Sequence, residues 1–599
     1  MEELKQQKNK FLAEVGWEVV NQVGGIYTVI RSKAPQAVKN WGGNYCLIGP
    51  YEHTQAQADF EQAINDDSPV SRAAQKCTEA GLEIHTGLWL ISGRPTTVLL
   101  NTHSAMHRLA DIKYFYWQNH GIQFPDYDEL IDRVLVFGYM VYEFLSALAR
   151  ELMEEDRELL AHFHEWMGGT ALPEIRRAQL PIKTIFTTHA TLLGRYLAMN
   201  DPHFYSHLPF YDWQKEAGKF NVETIVRLER ACAHGAHTFT TVSEVTAREC
   251  AHLLGRQPDA ITPNGLNIER FSVLHEVQNL HQQHKHSLER FIMSHFFPSY
   301  SFDLSKTLYF FTSGRYEYLN KGYDLTLEAL ARLNWKMKQQ GTPITVVMFF
   351  ITKQPTHSLN PQILNSRAVL DKIEGNIDSI LEQVKERLMV YAASQQHDFK
   401  LPELSNFVDD YWKLRYRRTI QSWKSGGLPS VVTHNLVDDG QDAILNYLRS
   451  ADLVNKPEDK VKIVYHPDFI SSSNPLFGME YNDFVRACHL GVFPSYYEPW
   501  GYTPLESLAR GVAAITSDLS GFGDYLKNVP LGDEAHGAFL VNRYNKSFDE
   551  AADQLCELMF RFVKQTSRTR IDMRNKSEDL SEAFDWKNLY DCYLEAYNN

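Results

Sequence analysis

Residues 495–506 have the sequence Ser495-Tyr496-Tyr497-Glu498-Pro499-Trp500-Gly501-Tyr502-Thr503-Pro504-Leu505-Glu506, directly after the apolar run Leu490-Gly491-Val492-Phe493-Pro494. The apolar run predicts a buried strand that proline ends, so Glu498 falls in the loop at the strand's carboxyl end. Ligands of open α/β sheets bind at that end. Thr503-Pro504-Leu505-Glu506 predicts a capped helix that begins at Thr503 and ends near Gly511. Glu506 is then expected at the mouth of the same crevice.

Each part of this pattern also has a purely structural explanation. A Thr-x-x-Glu start is often only a capping box, and a single loop acid such as Glu498 is often solvated. A functional interpretation therefore depends on further polar groups at the same edge of a sheet.

Apolar, β-branched or aromatic runs recur along the chain with helical patterns between them. They occupy Thr184–Thr188, Thr238–Val242, Thr307–Phe311, Ile344–Ile351, Val461–Tyr465, Leu490–Phe493 and Ala513–Thr516. Continuous apolar strands that alternate with helices predict parallel sheets covered on both faces. Two such series are divided near Pro263-Asn264-Gly265. A long helical pattern with a following basic stretch, at about 366–426, predicts a helical insertion that either mediates oligomer contacts or covers its own domain.

Composition excludes several classes of protein. The chain has 599 residues, of which 44% are apolar and 22% charged, with a net charge of −14. This length predicts at least two domains, and the acidic balance disfavours nucleic acid as a partner. The seven cysteines form no C-x-x-C pair, which is typical of reduced thiols in the cytoplasm. We expect no membrane segment, because the N-terminus lacks an apolar signal core and charges interrupt the stretch Val134–Leu152.

Three further stretches place polar groups after predicted strands. Residues 18–26 predict a strand that begins at Glu18, a turn at Gly24-Gly25 and then a helix that reaches about Ala37, and the backbone N–H groups of the turn can approach a phosphate. His189 and Arg195 follow the run Thr184–Thr188, and Arg315 and Lys321 follow Thr307–Phe311. Arginine and lysine here could neutralise the charge that grows on a departing diphosphate. Taken singly, each of these residues is as well explained by a turn, a structural histidine or a surface charge.

Two acidic or histidine clusters resemble metal sites and are interpreted otherwise. Asp126-Tyr127-Asp128 follows Pro125 in a polar segment, which favours a solvated turn. His162-Phe163-His164-Glu165 offers two imidazoles, but no third ligand is identifiable from sequence, so a packed strand end is favoured. We predict no catalytic metal.

Taken together, the motifs resemble glycosyltransferase family 3, the animal and fungal type of glycogen synthase, nearly from end to end. The matching blocks are Val23–Tyr27, Ala161–Trp166, Phe186–Arg195, Thr241–Ser243, Pro263–Asn267, Gly314–Gly322 and Phe493–Glu506.

The resemblance implies an α/β, GT-B fold in which two Rossmann-like domains face a cleft. The first domain is expected over 1–268, joined by a C-terminal helix at about 570–599, and the second over 269–569, with its helical insertion at about 366–426. The implied reaction is retaining transfer of glucose from UDP-glucose to the non-reducing-end 4-hydroxyl of an α-1,4-glucan. No metal or other cofactor is implied, and the leaving phosphate itself would accept the proton of the incoming hydroxyl.

The resemblance also implies a role for each matching residue. Glu498 would lie beside the glucose, His189 would hold one of its hydroxyls, and Arg195, Arg315 and Lys321 would bind the diphosphate. Further donor contacts are implied for Trp500 and Gly501 at the sugar, Thr503 and the Gly24-Gly25 turn near the phosphates, Tyr481 against uracil and Glu506 at the ribose.

Activation by glucose 6-phosphate is a further implication. The matching positions are His275, Glu276, Gln278, His281, Lys285, His489, Arg570 and Arg574. Three positions depart from the family pattern: Gln22 stands where a lysine is usual, and Ser567 and Asp579 replace basic residues of an arginine-rich helix. Because the sequence stops at Asn599 without a serine-rich tail, phosphorylation control of the animal kind is not expected.

The implied partners are glycogen, UDP-glucose, glucose 6-phosphate and a glycogenin-like primer protein, and the helical insertion suggests a homo-tetramer. Two other functions stay open at this point. One is a different GT-B glucosyl enzyme, either a disaccharide synthase or a phosphorylase. The other is a non-catalytic glucan-binding scaffold, which predicts erosion of the charged residues.

Overall fold

A computed structural model describes residues 9–62, 66–268, 277–394, 402–529 and 536–598. In these ranges the chain forms two large, mainly parallel sheets with helices packed on their faces. Among the described helices, none combines the length and the apolar character needed to span a bilayer.

The N-terminal sheet has the strand order β3-β4-β5-β2-β1-β6-β7-β8-β9. Its strands are β1 (Lys10–Gly16), β2 (Tyr45–Pro50), β3 (Phe60–Gln62), β4 (Ile84–Trp89), β5 (Thr96–Leu100), β6 (Glu158–His164), β7 (Ile182–Thr188), β8 (Thr238–Thr241) and β9 (Ala260–Ile261). Strands β3 and β4 pair antiparallel with their neighbours, and the others pair in parallel. All six residues of β2 and six of the seven residues of β7 are buried, which is the continuous burial expected of parallel strands covered on both faces.

The helices that accompany this sheet are α1 (Gly25–Trp41), α2 (His53–Asp59), α3 (Pro69–Glu79), α4 (Leu109–His120), α5 (Glu129–Glu154), α6 (Glu165–Gly169), α7 (Leu172–Arg177), α8 (Leu192–Asn200), α9 (Phe204–His207), α10 (Trp213–Lys219), α11 (Glu223–Gly235) and α12 (Glu244–Glu249). Helix α5 is the apolar stretch that the sequence assigns to the core, and it packs in the largest hydrophobic cluster.

The C-terminal sheet has the order β14-β11-β10-β15-β16-β17, with every pairing parallel. Its strands are β10 (Thr307–Ser313), β11 (Thr345–Ile351), β14 (Val461–His466), β15 (Leu490–Phe493), β16 (Ala513–Ser517) and β17 (Ala538–Val541). A separate antiparallel pair joins β12 (Thr356–Leu359) to β13 (His434–Leu436).

The remaining helices are α13 (Val277–Phe296), α14 (Tyr323–Gln339), α15 (Pro361–Ala393), α16 (Asp410–Trp423), α17 (Ala443–Ser450), α18 (Tyr481–Ala487), α19 (Tyr502–Ala509), α20 (Gly521–Leu526), α21 (Phe548–Lys564), α22 (Ser567–Ser581) and α23 (Trp586–Asn598). Helices α15 and α16 pack on each other and lie largely within the range of about 366–426 where the sequence predicts a helical insertion.

Each predicted strand run lies in a strand of one sheet or the other. One local prediction is wrong: the strand before the Gly24-Gly25 turn ends at Gly16, and Glu18 lies in the turn region that follows. Helix α1 also continues past Ala37 to Trp41, although it contains Pro35.

The last helix, α23, packs against the N-terminal sheet. Trp586 Nε1 donates to Ser32 Oγ at 2.8 Å, and Trp41 Nε1 donates to the Tyr590 hydroxyl at 3.1 Å. Of the predicted C-terminal segment at about 570–599, α23 therefore lies on the N-terminal sheet, whereas α22 packs against α19 beside the C-terminal sheet.

Candidate active site

A cavity of about 550 Å³ lies between the carboxyl ends of the two sheets. Ten predicted site residues line it: Gly24, Gly25, His189, Arg195, Arg315, Lys321, Glu498, Trp500, Gly501 and Thr503. They come from the loops and first helical turns that follow β1, β7, β10 and β15. The structure thus brings together side chains that are up to roughly 480 positions apart in sequence, as expected for the crevice of an α/β fold.

The three predicted phosphate-binding cations are held by two carboxylates. Arg195 Nη1 and Arg315 Nε lie 3.8 Å and 3.4 Å from the same oxygen, Glu317 Oε1. Lys321 Nζ donates to Glu498 Oε2. Burial lowers the pKa of Arg195, but Tyr497 and the nearby acids raise it overall, so the guanidinium stays charged. A diphosphate between these groups would meet three positive charges.

The loop that carries Glu498 is fixed to both halves of the molecule. The backbone N–H of Gly521 donates to the Glu498 carbonyl at 3.0 Å, and a Cβ on Gly521 would lie 2.0 Å from the Pro499 carbonyl oxygen, so only glycine fits. From the other side, Ser243 Oγ donates to the Pro499 carbonyl at 3.2 Å, and the Tyr497 hydroxyl donates to Glu249 at 2.9 Å. These contacts hold the loop in one geometry.

The predicted capped helix start at Thr503 is wrong. Helix α19 begins at Tyr502, and its N-cap is Gly501, which has φ +107° and offers no side chain for capping. Pro504 then falls at the third helical position, where its missing N–H costs no helix bond. Glu506 does not reach back to the cap: it lies 3.5 Å from Arg510 Nη1.

His189 is fixed at the wall of the cavity. Glu165 Oε1 accepts hydrogen bonds from the backbone N–H groups of His189 and Ala190, at 2.7 Å and 3.2 Å. His189 Nε2 lies 3.2 Å from His164 Nδ1, while its buried Nδ1 has no partner among the described residues. Burial raises the pKa of Glu165 to about 7 and lowers the pKa of His189 well below its usual value. The imidazole is therefore neutral at physiological pH.

Sequence reasoning missed three acids that line this cavity, Glu18, Glu165 and Glu229. Glu18 Oε2 accepts from the N–H groups of Gly24 and Tyr27, at 2.7 Å and 2.8 Å. Glu18 therefore holds the glycine turn in place and takes up the Gly24 N–H that had been expected to face a phosphate. The only sequence signal is an acid six residues before a glycine pair at a helix start.

Two predicted contacts to the nucleoside lie outside the cavity wall. The Tyr481 hydroxyl shares a hydrogen bond of 2.6 Å with Ser313 Oγ, in α18 and β10. Ser313 lines a small adjoining pocket together with Lys321, Glu498 and Thr503, which also line the large cavity. Burial raises the pKa of Glu506, and Arg510 beside it opposes that rise. At the wall of the large cavity, the buried Trp500 Nε1 has no partner among the described residues and is a free donor.

A second cavity, of about 100 Å³, gathers six of the predicted allosteric residues. They are Gln278, His281, Lys285, His489, Arg570 and Arg574. Arg574 Nη1 donates to Gln278 Oε1 at 2.8 Å, and burial together with Arg570 lowers the pKa of Arg574 to about 10. His275 and Glu276 lie outside the described residues. Of the departures from the family pattern, Ser567 lines this cavity, whereas the Gln22 backbone N–H donates to Gln55 Oε1 at 2.8 Å.

The structure gives different surroundings to the two motifs that the sequence analysis did not interpret as metal sites, 126–128 and 162–165. Asp128 caps α5 by accepting from the Ile131 N–H at 3.0 Å, as suits a turn. His162 and His164, in contrast, meet a third group that sequence reasoning missed, Glu14 of β1, with ligand atoms within 4.8 Å of one another. Lys33 Nζ lies 2.5 Å from Glu14 Oε1 and already supplies a positive charge there, which favours a hydrogen-bonded cluster over a bound divalent ion.

Comparison with known proteins agrees with this geometry. Residues 14–599 match the family described as Glycogen synthase. The chain is 42% identical over 594 residues to the glycogen [starch] synthase of Neurospora crassa, covering 99% of this chain and 84% of that protein. It is also 42% identical over 585 residues to the human liver glycogen [starch] synthase, covering 98% and 82%.

Among solved structures, the catalytic domain of Starch Synthase IV from Arabidopsis thaliana, bound to ADP and acarbose, has a TM-score of 0.51 to this chain. Its sequence identity is 13%, and the match covers 99% of both chains. This likeness concerns the fold and confirms the expected GT-B architecture. From the family match and the full-length identities, the chain belongs to the glycogen synthase family of glycosyltransferases.

Proposed function

We propose that the cleft transfers glucose from UDP-glucose to the 4-hydroxyl at a non-reducing end of an α-1,4-glucan, with retention of configuration. One observation carries this proposal: three cations, Arg195, Arg315 and Lys321, line the same cavity as Glu498, His189 and Trp500. The cations suit the diphosphate, and the carboxylate, imidazole and indole suit a sugar beside it.

In the proposed reaction, the protein acts mainly by stabilising the charges that develop in the transition state. As the bond from the anomeric carbon to the diphosphate lengthens, negative charge grows on the phosphate oxygens and positive charge on the sugar ring. Fixed positive groups beside the phosphate oxygens and the Glu498 carboxylate beside the sugar ring lower the energy of this transition state, because they are already in position before the bond breaks. Lys321 donates to Glu498 Oε2, which supports a proposed position for Lys321 between the two developing charges. In this proposal these residues supply the positive charge, and no metal is required.

Retention is proposed from the membership of the family, and the carboxylates of the cavity bear on the route by which it is reached. A double displacement needs a second carboxylate as nucleophile or acid. Glu18, Glu165 and Glu229 also line the cavity, but all three accept backbone N–H groups. Glu498 is bonded to Lys321 instead, which suits electrostatic stabilisation. The proposal is therefore attack from the face that the diphosphate leaves, with a phosphate oxygen accepting the proton of the incoming 4-hydroxyl.

Incubation with radiolabelled UDP-glucose and glycogen, without added metal, tests the function. Label is expected in polymer, and an exo-hydrolase specific for α-1,4 bonds is expected to release it. Glu498→Gln should retain glycogen binding and lose transfer. Label confined to a small product would favour the disaccharide synthase, a requirement for inorganic phosphate would favour the phosphorylase, and glycogen binding without transfer would favour the scaffold.

We also propose that glucose 6-phosphate activates the enzyme at the second cavity. Lys285, Arg570 and Arg574 offer three cations to a phosphate there. Helix α22, which carries both arginines, packs against α19, and α19 carries Thr503 at the active-site cavity. A ligand that repositions α22 would therefore act on the diphosphate site through one helix contact.

The remaining proposals concern assembly and place. The insertion helices expose apolar side chains, among them Leu381, Met389 and Leu414, which suits the proposed homo-tetramer. A glycogenin-like primer protein and a cytoplasmic location are further proposals. Sedimentation of the purified protein tests the proposed homo-tetramer directly.

A further inference from the structure

Three neighbouring parallel strands of the N-terminal sheet carry a chain of buried polar groups toward the active site. Glu14 lies on β1, His164 ends β6, and His189 follows β7. In the strand register, Glu14 is opposite His162, so His164 lies one side-chain step further along the same face. All of these side chains are at least nine-tenths buried.

The hydrogen bonds along this chain form one continuous path. Glu14 Oε1 lies 3.2 Å from His164 Nε2, and His164 Nδ1 lies 3.2 Å from His189 Nε2. The path ends at His189 Nδ1, which has no partner among the described residues and belongs to a side chain on the cavity wall. His164 therefore joins Glu14 to His189, and in each neutral imidazole the nitrogen that carries the proton decides the role of the other nitrogen.

The first group in the path is an ionised carboxylate. Lys33 Nζ donates to Glu14 Oε1 at 2.5 Å, and the Tyr45 hydroxyl donates to Glu14 Oε2. Burial raises the pKa of Glu14, but Lys33 and the two histidines lower it overall to well below its usual value. An ionised carboxylate only accepts hydrogen bonds. His164 must consequently carry its proton on Nε2.

The rest of the path follows from the neutral state of the two imidazoles. With its proton on Nε2, His164 presents a bare Nδ1 that accepts from His189 Nε2. His189 then carries its own proton on Nε2, and its unpartnered Nδ1 is bare. A bare ring nitrogen accepts a hydrogen bond and cannot donate one. His162 Nδ1 also lies 3.2 Å from Glu14 Oε1, but it has no contact with His189 in this path.

We propose that Glu14 and His164 are positioning residues that fix His189 in the tautomer with a bare Nδ1, so that His189 accepts a hydrogen bond from a hydroxyl of the donor sugar. The sugar contact rests on the proposed function, whereas the tautomer does not. A bare His189 Nδ1 favours a donor sugar with a hydroxyl group at this position, and it disfavours a sugar whose group there can only accept a hydrogen bond.

The tautomer is measurable in the unmodified protein. In ¹⁵N spectra of histidine-labelled protein at neutral pH, with the His189 signals assigned by their loss in His189→Gln, Nδ1 should show the shift of an unprotonated nitrogen and Nε2 that of a protonated one. Protonation of His189 at Nδ1, alone or together with Nε2, would overturn the proposal. This spectrum needs no glucose transfer, so it separates the proposal from the proposed function.

Variants test the cause of the tautomer. In Glu14→Gln the amide can donate to His164 Nε2, which should reverse both imidazoles and place a proton on His189 Nδ1. Since Lys33 would lose its partner, Glu14→Gln/Lys33→Met removes the buried pair together and provides a second variant. Tyr45→Phe is the matched control, because it removes another donor to Glu14 and keeps the carboxylate; its His189 spectrum should match the wild type. An unchanged His189 tautomer in both Glu14 variants would contradict the proposed role of Glu14.

Donor analogues test the consequence. Binding constants are measured for UDP-glucose analogues that carry hydrogen or fluorine in place of each sugar hydroxyl. At the hydroxyl that faces His189, both replacements should weaken binding equally, by roughly threefold to tenfold, because neither offers a proton. A fluorine analogue that binds clearly better than the deoxy analogue at the affected position would show that His189 donates. No loss at any position would also overturn the proposal.

Discussion

Replacing Lys321 by alanine is expected to weaken UDP binding and to slow glucose transfer more strongly. Lys321 Nζ donates to Glu498 Oε2, and the two side chains are 18% and 21% exposed. A charge-assisted hydrogen bond to phosphate contributes about 1.5–3 kcal/mol, which corresponds to roughly 10- to 150-fold in affinity for UDP. Loss of a preorganised group at a site of developing charge costs a further 10²- to 10³-fold in kcat by order of magnitude.

Calorimetric titration with UDP and the radiolabelled transfer assay measure the two effects separately. Lys336→Ala is the matched control, because Lys336 pairs with Glu557 between two helices and does not line the cavity. This control should bind UDP and transfer glucose like the wild type.

A double-mutant cycle sharpens the test. In Lys321→Ala the Glu498 carboxylate faces the diphosphate without an intervening cation, so adding Glu498→Gln should restore part of the lost UDP affinity. Because the pair is partly exposed, the coupling is expected to be only about 1 kcal/mol. Wild-type UDP affinity and transfer rate in Lys321→Ala would refute the reasoning. Strictly additive losses in the cycle would show that Lys321 does not link the carboxylate to the phosphate.

Three other predictions follow from the same geometry. The pKa of Glu165 is raised to about 7 in the folded protein, so the protonated carboxyl contributes stability that is fully present below about pH 4.5 and is lost as the pH rises through 7. Over that pH range the free energy of unfolding of the wild type should fall by roughly 3 kcal/mol more than that of Glu165→Gln, as measured by urea denaturation. Gly501→Ala, at φ +107°, should cost about 1–3 kcal/mol of backbone strain and lower kcat, whereas Gly375→Ala, in an open helix position, should not. Arg570→Ala should raise the half-activating concentration of glucose 6-phosphate about tenfold or more, and the exposed Arg568→Ala should leave it unchanged.

The sheets could be predicted from sequence because their strands are buried on both faces. Such strands give continuous apolar runs, as in β10 and β15, whose pattern does not depend on distant contacts. The residues that end those strands could be assigned to one edge, since parallel strands align their carboxyl ends. For that reason, the sequence was enough to predict that Arg195, Arg315, Lys321 and Glu498 lie close together.

The errors came from groups whose partners are distant in sequence or whose backbone is unusual. The start of α19 depends on the left-handed Gly501, which the loop contacts impose, and a Thr-x-x-Glu pattern carries no sign of it. Glu14 is 148 positions before His162, and only the register of β1 with β6 brings them together. Sequence alone therefore left the His162 and His164 pair without the acid that completes it.

The structure of the protein with UDP bound in the cleft tests the central claim most directly. That claim is that three cations meet around one diphosphate beside Glu498. Nitrogen atoms of Arg195, Arg315 and Lys321 should each lie within about 3.2 Å of a phosphate oxygen, with the β-phosphate next to Glu498. A diphosphate bound to other residues, with these side chains turned away from it, would contradict the account.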